Sequence, residues 1–309
     1  MQKRIILGTR GSALALAQVR LVERALRAAH DGIGIEVKKF TTTGDRRQDP
    51  NFKVESPAGL KGLFTKEIQD ALLTGAIDAA VHSLKDVPGV TPAELSIAAV
   101  LERAPASDIL IAKTARNFAD LPKGARVGTS SVRRTRLLRW KRSDLHIEPL
   151  RGNVPTRLQK LRDSENLDAI VLALAGLQRL GYAVGEGSAE FEGATFFTEV
   201  LSGVPYAIGQ GAIALEVRAD DRRVTALLAP LNHAPTFTCI RAERELLRLL
   251  DGDCTLPVGV RTQLLGGEIF MEAIVFGDEG TAPREARNEG GAADPEALAR
   301  RIFRQLRKE

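Results

Sequence analysis

Residues 4–17 read RIILGTRGSALALA, and this stretch indicates how the chain begins to fold. Its apolar run predicts a buried strand over residues 4–9. Ser12 stands where an N-cap is needed, and the apolar residues that follow recur at helical spacing, which predicts a helix over residues 13–29. A strand followed at once by a helix is typical of α/β proteins, so we expect a mainly parallel sheet whose faces are covered by helices.

The alternation of strand and helix recurs along the chain. Gly128-Thr129-Ser130-Ser131 resembles the turn at residues 8–12, and Asp78–Val81 resembles Asp168–Val171. These matches predict two related α/β domains, although matches this short can also arise by chance. The same patterns predict strands at residues 35–40, 78–83, 126–128, 147–150 and 168–174. They predict helices at residues 63–73, from after residue 131 to about 142, and from after residue 153 to about 162.

The last part of the sequence predicts a smaller α+β domain. An amphipathic helix is expected at residues 235–250, two strands at 258–265 and 268–276, and a closing helix at 295–307. Residues 42–60 are rich in turn-forming residues and predict a long mobile loop. The predicted domains are residues 1–101 with 200–220 for the first, 102–199 for the second and 221–309 for the third.

Positive charge is concentrated in one part of the chain. The sequence has 44 basic and 39 acidic residues, a formal charge of +5, whereas residues 123–162 alone hold 12 basic and 2 acidic residues. A local positive field in an otherwise acidic protein indicates one anionic partner bound at one place. Arg136, Arg139 and Arg142 could equally belong to a solvated helix face.

The two cysteines and the four histidines exclude several kinds of site. Cys239 and Cys254 are too few for a disulfide framework in 309 residues, which favours a reducing compartment. No spacing matches a zinc site, so no metal is expected. Arg10 interrupts the apolar N-terminal run, which argues against a secretory signal, and no apolar run approaches the roughly 20 residues of a membrane span. We expect a cytoplasmic protein that binds no membrane.

Arginines stand at three predicted strand-to-helix junctions. A helix N-terminus presents free N–H groups and the positive end of the helix dipole, and guanidinium groups bind carboxylates bidentately. Three such junctions predict a ligand with several carboxylates or phosphates at the carboxyl ends of the strands. The glycine motifs of nucleotide-binding loops are absent from the sequence. The residues concerned are Arg10 with Ser12, Ser131 with Arg133 and Arg134, and Arg151 with Arg157.

Two further residues could carry chemistry, and sequence chemistry leaves both open. Asp86 follows a predicted strand and could move protons or stabilise a cation, or could form an ordinary surface pair with Lys85. Cys254 has no histidine near it in sequence, and Asp253 disfavours a thiolate, so chemistry alone favours a turn residue. His82 is expected to be a buried histidine behind the site.

Several of these segments together resemble hydroxymethylbilane synthase, a family also called porphobilinogen deaminase. The resemblance runs from Thr9 to Gly259 and extends more loosely beyond. Its motifs are specific in combination rather than singly. They are Gly8–Leu16, Lys61-Gly62-Leu63-Phe64, Asp78–Pro88, Gly128–Arg134, Leu150–Leu158, Leu172–Gly181, Gly209-Gln210-Gly211 and the cysteine segment Gly252–Gly259.

The resemblance implies a fold, a cofactor and a reaction. The implied fold is α/β with three domains, the first two related to type II periplasmic binding proteins. The implied cofactor is a dipyrromethane made from substrate and linked, by position, to Cys254. In the implied reaction porphobilinogen loses ammonia to give an azafulvene, which the terminal pyrrole of the cofactor attacks. Four rounds extend the chain, and hydrolysis releases hydroxymethylbilane.

The resemblance also implies roles for individual residues. Asp86 is expected to stabilise cationic pyrrole intermediates and to move protons. Besides Cys254, the residues expected to bind the cofactor are Lys85, Thr129, Ser131, Arg133 and Arg134. The residues expected to bind substrate carboxylates are Arg10, Ser12, Arg151, Arg157 and Arg179, with Lys61 helping to cover the site.

Two other functions compete with the enzyme. A cytoplasmic polycarboxylate-binding protein of the same two-lobed fold would use the arginines but need neither Cys254 nor Asp86. Nucleic-acid binding through residues 123–162 predicts a steep salt dependence and stacking aromatic residues, and Trp140 is the only aromatic residue there. The sequence therefore favours a monomeric enzyme that acts on porphobilinogen and has no nucleic-acid partner.

Overall fold

A computed structural model describes residues 4–46, 64–250, 256–278 and 280–307. The chain forms two compact units. The first comprises the described residues of Met1–Ala104 and Ala212–Cys254, and the second comprises those of Pro105–Gly211 and Thr255–Glu309. The predicted loop at residues 42–60 lies largely outside the described residues.

The described residues contain both strands and helices, which alternate along most of the chain. The strands are β1 (Arg4–Arg10), β2 (Gly34–Phe40), β3 (Ala79–Ser83), β4 (Leu95–Val100), β5 (Asp108–Ala112), β6 (Arg126–Gly128), β7 (His146–Glu148), β8 (Ala169–Ala173), β9 (Gly187–Phe191), β10 (Ala194–Val200), β11 (Ile213–Arg218), β12 (Val258–Leu265), β13 (Glu268–Val275) and β14 (Arg284–Gly291). The helices are α1 (Ala13–Ala29), α2 (Thr43–Arg46), α3 (Lys66–Leu73), α4 (Val132–Lys141), α5 (Val154–Asp163), α6 (Leu174–Arg179), α7 (Arg222–Leu228), α8 (Ala234–Leu249) and α9 (Pro295–Arg307).

The first unit contains a five-stranded sheet with the order β2-β1-β3-β11-β4. Strand β1 runs parallel to β2 and β3, whereas β11 runs antiparallel to β3 and β4. Ile5 and Leu7 of β1 are buried with Val22 and Leu26 of α1, so the apolar stripe of the helix covers one face of the sheet. Burial of these aliphatic side chains is the main stabilising contribution of this layer.

The second unit contains a six-stranded sheet with the order β7-β6-β8-β5-β10-β9. Its first five strands repeat the arrangement of the first sheet: three parallel strands, then two that each run antiparallel to their neighbour. This repetition confirms two related α/β units. The expectation of a mainly parallel sheet is wrong, because both sheets are mixed: β11 and β5, which begin soon after the chain passes from one unit to the other, run antiparallel to both of their neighbours.

A small antiparallel sheet of β12, β13 and β14, against which α9 packs, belongs to the second unit. Gly259 of β12 allows a close approach to Pro205, since a Cβ at this glycine would lie 2.9 Å from the proline Cβ. Helices α7 and α8 instead pack in the first unit, where Val224 and Leu228 join the core of its sheet. The elements predicted for residues 221–309 are therefore divided between the two units.

Candidate active site

In the first unit, Arg10 and Asp86 lie together beyond the carboxyl ends of neighbouring parallel strands. Arg10 ends β1, and Asp86 ends a 3₁₀ turn, Leu84–Asp86, that follows β3. The Arg10 Nη1 atom lies 3.5 Å from the Asp86 Oδ2 atom, and the two side chains are 21% and 28% exposed. The pair is therefore loose and reachable from solvent.

Three local features shape the end of β1 and the start of α1 around Arg10. Its guanidinium group lies 4.3 Å from the centre of the Phe64 ring, within the range of a cation–π contact. Gly8 lets β1 pack closely here, since a Cβ on it would lie 2.3 Å from Ile77 Cδ1. Ser12 caps α1, because its Oγ accepts a hydrogen bond of 3.3 Å from the backbone N–H of Ala15.

A buried polar network lies behind the turn that carries Asp86. Glu216 of β11 is fully buried, and its carboxylate accepts two hydrogen bonds from Gln69 Nε2, at 2.9 and 3.2 Å. His82 Nε2 lies 3.0 Å from the same carboxylate. Arg244 of α8 donates to the carbonyl oxygens of Val87 and Pro88, just after Asp86. Burial lowers the pKa of Arg244, and the attraction of Glu216 partly offsets that effect.

In the second unit, Arg133 and Arg134 of the first turn of α4 both bind Asp108, the first residue of β5. Arg133 Nη2 lies 2.7 Å from Oδ2 of this carboxylate, and Arg134 Nη2 lies 2.7 Å from Oδ1. Their remaining Nη1 groups donate to the carbonyl oxygens of Pro205 and Val171, each at 2.9 Å. The Asp108 side chain is 1% exposed, so all three charges are held in the protein interior.

The charge state of this cluster follows from its contacts. Burial alone would raise the pKa of Asp108, but the charges and hydrogen bonds of Arg133 and Arg134 outweigh it and hold that pKa well below its usual range. Burial also lowers the pKa of Arg133. Two guanidinium groups face a single carboxylate, so the cluster keeps an excess positive charge.

The other residues predicted for this part of the site lie at neighbouring helix ends. Ser131 caps α4 by accepting a hydrogen bond of 3.4 Å from the Arg134 N–H, and Thr129 Oγ1 accepts one of 3.2 Å from the Ser131 N–H. Arg157 Nε donates to the Gly152 carbonyl at 2.7 Å, and burial, with the charge of Arg134 adding to it, lowers the pKa of Arg157 to about 10.

Two predicted arginines differ in how far they are covered by protein. Arg179, the last residue of α6, donates to the Gly211 carbonyl at 2.6 Å, and burial lowers its pKa to about 10. Arg151 is exposed. Lys85 is partly buried in the turn of Asp86. Cys254 and Lys61, for which the sequence predicts a covalent link and a covering role, lie outside the described residues.

The second unit fits a ligand that carries several carboxylates. The Nε atoms of Arg133 and Arg134 are buried, and neither has a hydrogen-bond acceptor among the described residues. A buried donor without an acceptor is unfavourable, so these two N–H groups and the excess positive charge both favour added anionic oxygen. A dipyrromethane with acetate and propionate side chains supplies such oxygens, and the donor set therefore fits the cofactor that the sequence predicts.

Sequence reasoning missed Asp108, Gln210, Glu216 and Arg244. Asp108 begins an antiparallel strand, and its register places it opposite Ala173, the last residue of β8. In an all-parallel sheet the start of β5 would lie at the opposite edge, far from the arginines. The Gly209-Gln210-Gly211 motif was the only sequence signal for this group, and it gave no role to the glutamine.

Two family models match the chain. Residues 5–226 match "Porphobilinogen deaminase, dipyromethane cofactor binding domain", and residues 237–308 match "Porphobilinogen deaminase, C-terminal domain". The chain belongs to the porphobilinogen deaminase family. The predicted family, the transferase class of tetrapyrrole biosynthesis, the small C-terminal domain and the dipyrromethane cofactor are thereby confirmed.

Curated relatives of the porphobilinogen deaminase family match over nearly their whole length. The porphobilinogen deaminase of Syntrophobacter fumaroxidans is 42% identical over 308 residues, which cover 99% of this chain and 95% of the relative. That of Roseiflexus sp. (strain RS-1) is 44% identical over 300 residues, which cover 96% and 94%.

The solved structures that match the chain are far more distant in sequence. The effector binding domain of BenM with benzoate is 13% identical, with a TM-score of 0.44, over 75% of this chain and 91% of that one. The methionine-binding protein MetQ is 13% identical, with a TM-score of 0.41, over 73% and 88%. Among the described residues, no helix has the length and apolarity to cross a membrane, and no group of three or more acidic, histidine or cysteine side chains could hold a metal ion.

Proposed function

We propose that this chain deaminates porphobilinogen and joins four molecules of it head to tail, starting from a dipyrromethane on Cys254, and releases hydroxymethylbilane and ammonia. Family membership supports the reaction class. A curated relative named porphobilinogen deaminase matches this chain over 95% of its own length. The residue roles rest on the geometry of the two units. In this proposal the chain acts as a cytoplasmic monomer without nucleic-acid or membrane partners.

The observation that carries the proposal is the loose pair of Arg10 and Asp86. The Asp86 carboxylate is 28% exposed and lies 3.5 Å from the Arg10 guanidinium group, so a substrate can reach it. A carboxylate in this position can stabilise positive charge that develops on a pyrrole ring, and its Oδ atoms can take up or return a proton. Arg10, together with the hydroxyl of Ser12, can bind a substrate carboxylate beside it.

The remaining residues bind and orient. When bound, the dipyrromethane supplies the free pyrrole carbon from which the product grows. The residues proposed to hold it are Lys85, Thr129, Ser131, Arg133, Arg134 and, covalently, Cys254. Arg151, Arg157 and Arg179 are proposed to bind the acetate and propionate groups of the substrate and of the growing chain, and Lys61 to help exclude water. We also propose three domains: residues 1–101 with 200–220, residues 102–199, and residues 221–309.

Intact-mass measurement of the purified chain tests this function. We expect a mass above that of the sequence by one dipyrromethane, located after proteolysis in the peptide that contains Cys254. We also expect discrete further increments when porphobilinogen is added. A purified and active protein with the bare sequence mass would contradict the proposal.

The competing function is a polycarboxylate-binding protein of the same architecture. Such a protein needs the arginines to bind carboxylates, but it needs neither Asp86 nor Cys254. It should bind small polycarboxylates reversibly and leave porphobilinogen unchanged. Colorimetric measurement of porphobilinogen consumption, beside calorimetric titration with a tricarboxylate, separates the two functions.

A further inference from the structure

Asp108 organises the buried cationic cluster of the second unit, and none of the residue roles above includes it. Each of its carboxylate oxygens accepts a hydrogen bond from one arginine, Oδ2 from Arg133 and Oδ1 from Arg134, both at 2.7 Å. Oδ1 also accepts a hydrogen bond of 2.9 Å from Gln210 Nε2. Three donors around one buried carboxylate leave its orientation almost no freedom.

The second partner of Gln210 fixes the carboxylate further. The same Nε2 atom donates to the Ala106 carbonyl at 2.6 Å. The amide therefore ties Asp108 to the backbone two residues before it and adds no charge. Gln210 is 1% exposed, so this arrangement is part of the interior rather than a surface contact.

The cluster has a physical reason to need this carboxylate. Two guanidinium groups side by side in the interior repel each other and have lost their hydration, so an unpaired pair would separate or change rotamer. Asp108 opposes that repulsion and sets the distance and tilt of both groups. In each arginine, one Nη group donates to Asp108 and the other donates to a backbone carbonyl. The Nε–H group has no acceptor among the described residues.

From this arrangement we infer that Asp108 is a positioning residue, which fixes Arg133 and Arg134 so that their Nε–H groups can bind a carboxylate of the dipyrromethane. The inference rests on the proposed function, since it takes the dipyrromethane as the ligand. Asp108 itself touches neither cofactor nor substrate in this role. It acts through the two arginines, and Gln210 in turn acts through Asp108.

The test follows loading of the cofactor rather than turnover. The full chain and its Asp108→Asn variant are produced in cells that make no porphobilinogen, and each is then incubated with a series of porphobilinogen concentrations. Intact mass gives the fraction that has gained a dipyrromethane. We expect the half-saturating concentration to rise by about ten-fold or more in the variant, because two charge-assisted hydrogen bonds that orient the arginines are lost.

A matched control separates positioning from general damage to the unit. Asp144→Asn removes a carboxylate that binds Arg142 in the same unit, outside the site, at 2.7 and 2.8 Å. We expect this variant to load like the unchanged chain. Circular dichroism and thermal unfolding are recorded for each protein, and loading is compared at a temperature at which all are folded.

The outcomes distinguish this inference from the proposed function. If the unchanged chain gains no dipyrromethane, the proposed function fails. If the unchanged chain loads and folded Asp108→Asn loads at the same concentrations, the positioning role is overturned while the function stands. If Asp108→Asn yields no folded protein, Asp108→Glu decides: we expect a folded chain with weakened loading, and loading equal to that of the unchanged chain would overturn the inference.

Discussion

The two units use an arginine–aspartate contact in opposite ways. In the first unit, Arg10 and Asp86 approach to 3.5 Å, with side chains 21% and 28% exposed. In the second unit, Asp108 lies 2.7 Å from both Arg133 and Arg134, and its side chain is 1% exposed. The same residue types thus form a loose, reachable pair in one unit and a closed, buried cluster in the other.

The difference separates reaction from binding. A partly exposed pair gains little from its own attraction, so its carboxylate is available to a substrate and to protons. A buried cluster has lost its hydration, and its members must satisfy one another. We therefore expect changes in the open pair to affect turnover and changes in the buried cluster to affect folding and cofactor loading.

The largest expected effect is on turnover in the open pair. Asp86→Asn should lower kcat by about 10²- to 10⁴-fold, the range attributed to a positioned acid–base group. The free energy of unfolding should change by less than about 1 kcal/mol, because the ion pair is partly exposed. Steady-state kinetics and urea unfolding of the same preparation check both statements, and near-normal turnover would remove Asp86 from the catalytic role.

The next effect is on stability in the buried cluster. Asp108→Asn should lower the free energy of unfolding by about 3–5 kcal/mol, because it leaves two buried guanidinium groups without their counter-charge. Urea unfolding of this variant beside Asp86→Asn gives the comparison directly. Equal losses in the two variants would show that the contrast in burial has no energetic consequence.

A third prediction concerns pH. The pKa of Asp108 is held below its ordinary value of 3.8 in the folded chain, so its contribution to stability is fully present above that value and is lost as the pH falls through the folded pKa. In that acidic range Asp108 is protonated in the unfolded chain but not in the folded chain. This single group should therefore lower the free energy of unfolding by at most about 1.4 kcal/mol per pH unit as the pH falls. Urea unfolding between about pH 5 and pH 2 should show that the free energy of unfolding changes less steeply with pH in Asp108→Asn than in the unchanged chain. Equal slopes in the two proteins would contradict a lowered pKa of Asp108.

The smallest effect compares the two helix caps beside these clusters. Ser12 and Ser131 accept hydrogen bonds of 3.3 and 3.4 Å from the N–H groups of Ala15 and Arg134. Ser12→Ala and Ser131→Ala should each cost about 1 kcal/mol of folding stability. Ser131→Ala should in addition weaken cofactor loading, because Ser131 is among the residues proposed to hold the dipyrromethane, and mass measurement of loading tests that difference.

The sequence predicted most local structure because the signals are local. Helix α1 spans Ala13–Ala29, as expected from the cap at Ser12 and the apolar spacing. The prediction for α3 began at Leu63, whereas the helix begins at Lys66 after Thr65. The strands β4, β5, β9, β10, β11 and β14 were missed. Three of them, β9, β10 and β14, are half-exposed and carry polar residues, so their apolar signal is weak.

The sequence also predicted the chemical character of the site but not its inner support. Arg10, Ser12, Ser131, Arg133 and Arg134 stand at strand-to-helix junctions, and helix-end physics suffices to find them. Glu216 and Arg244 lie far along the chain from the turn of Asp86 that they support. No local pattern indicates which distant side chain will meet a buried histidine or a backbone carbonyl.

By itself, the sequence determined the α/β class, the repeated junctions with their arginines and the family to which they belong. Only the tertiary structure decided where Asp108 lies, because that depends on the direction of β5. A buried strand shows the same apolar run whichever way it runs. The antiparallel course of β5, which begins soon after the chain enters the second unit, brings Asp108 to the edge where the arginines stand.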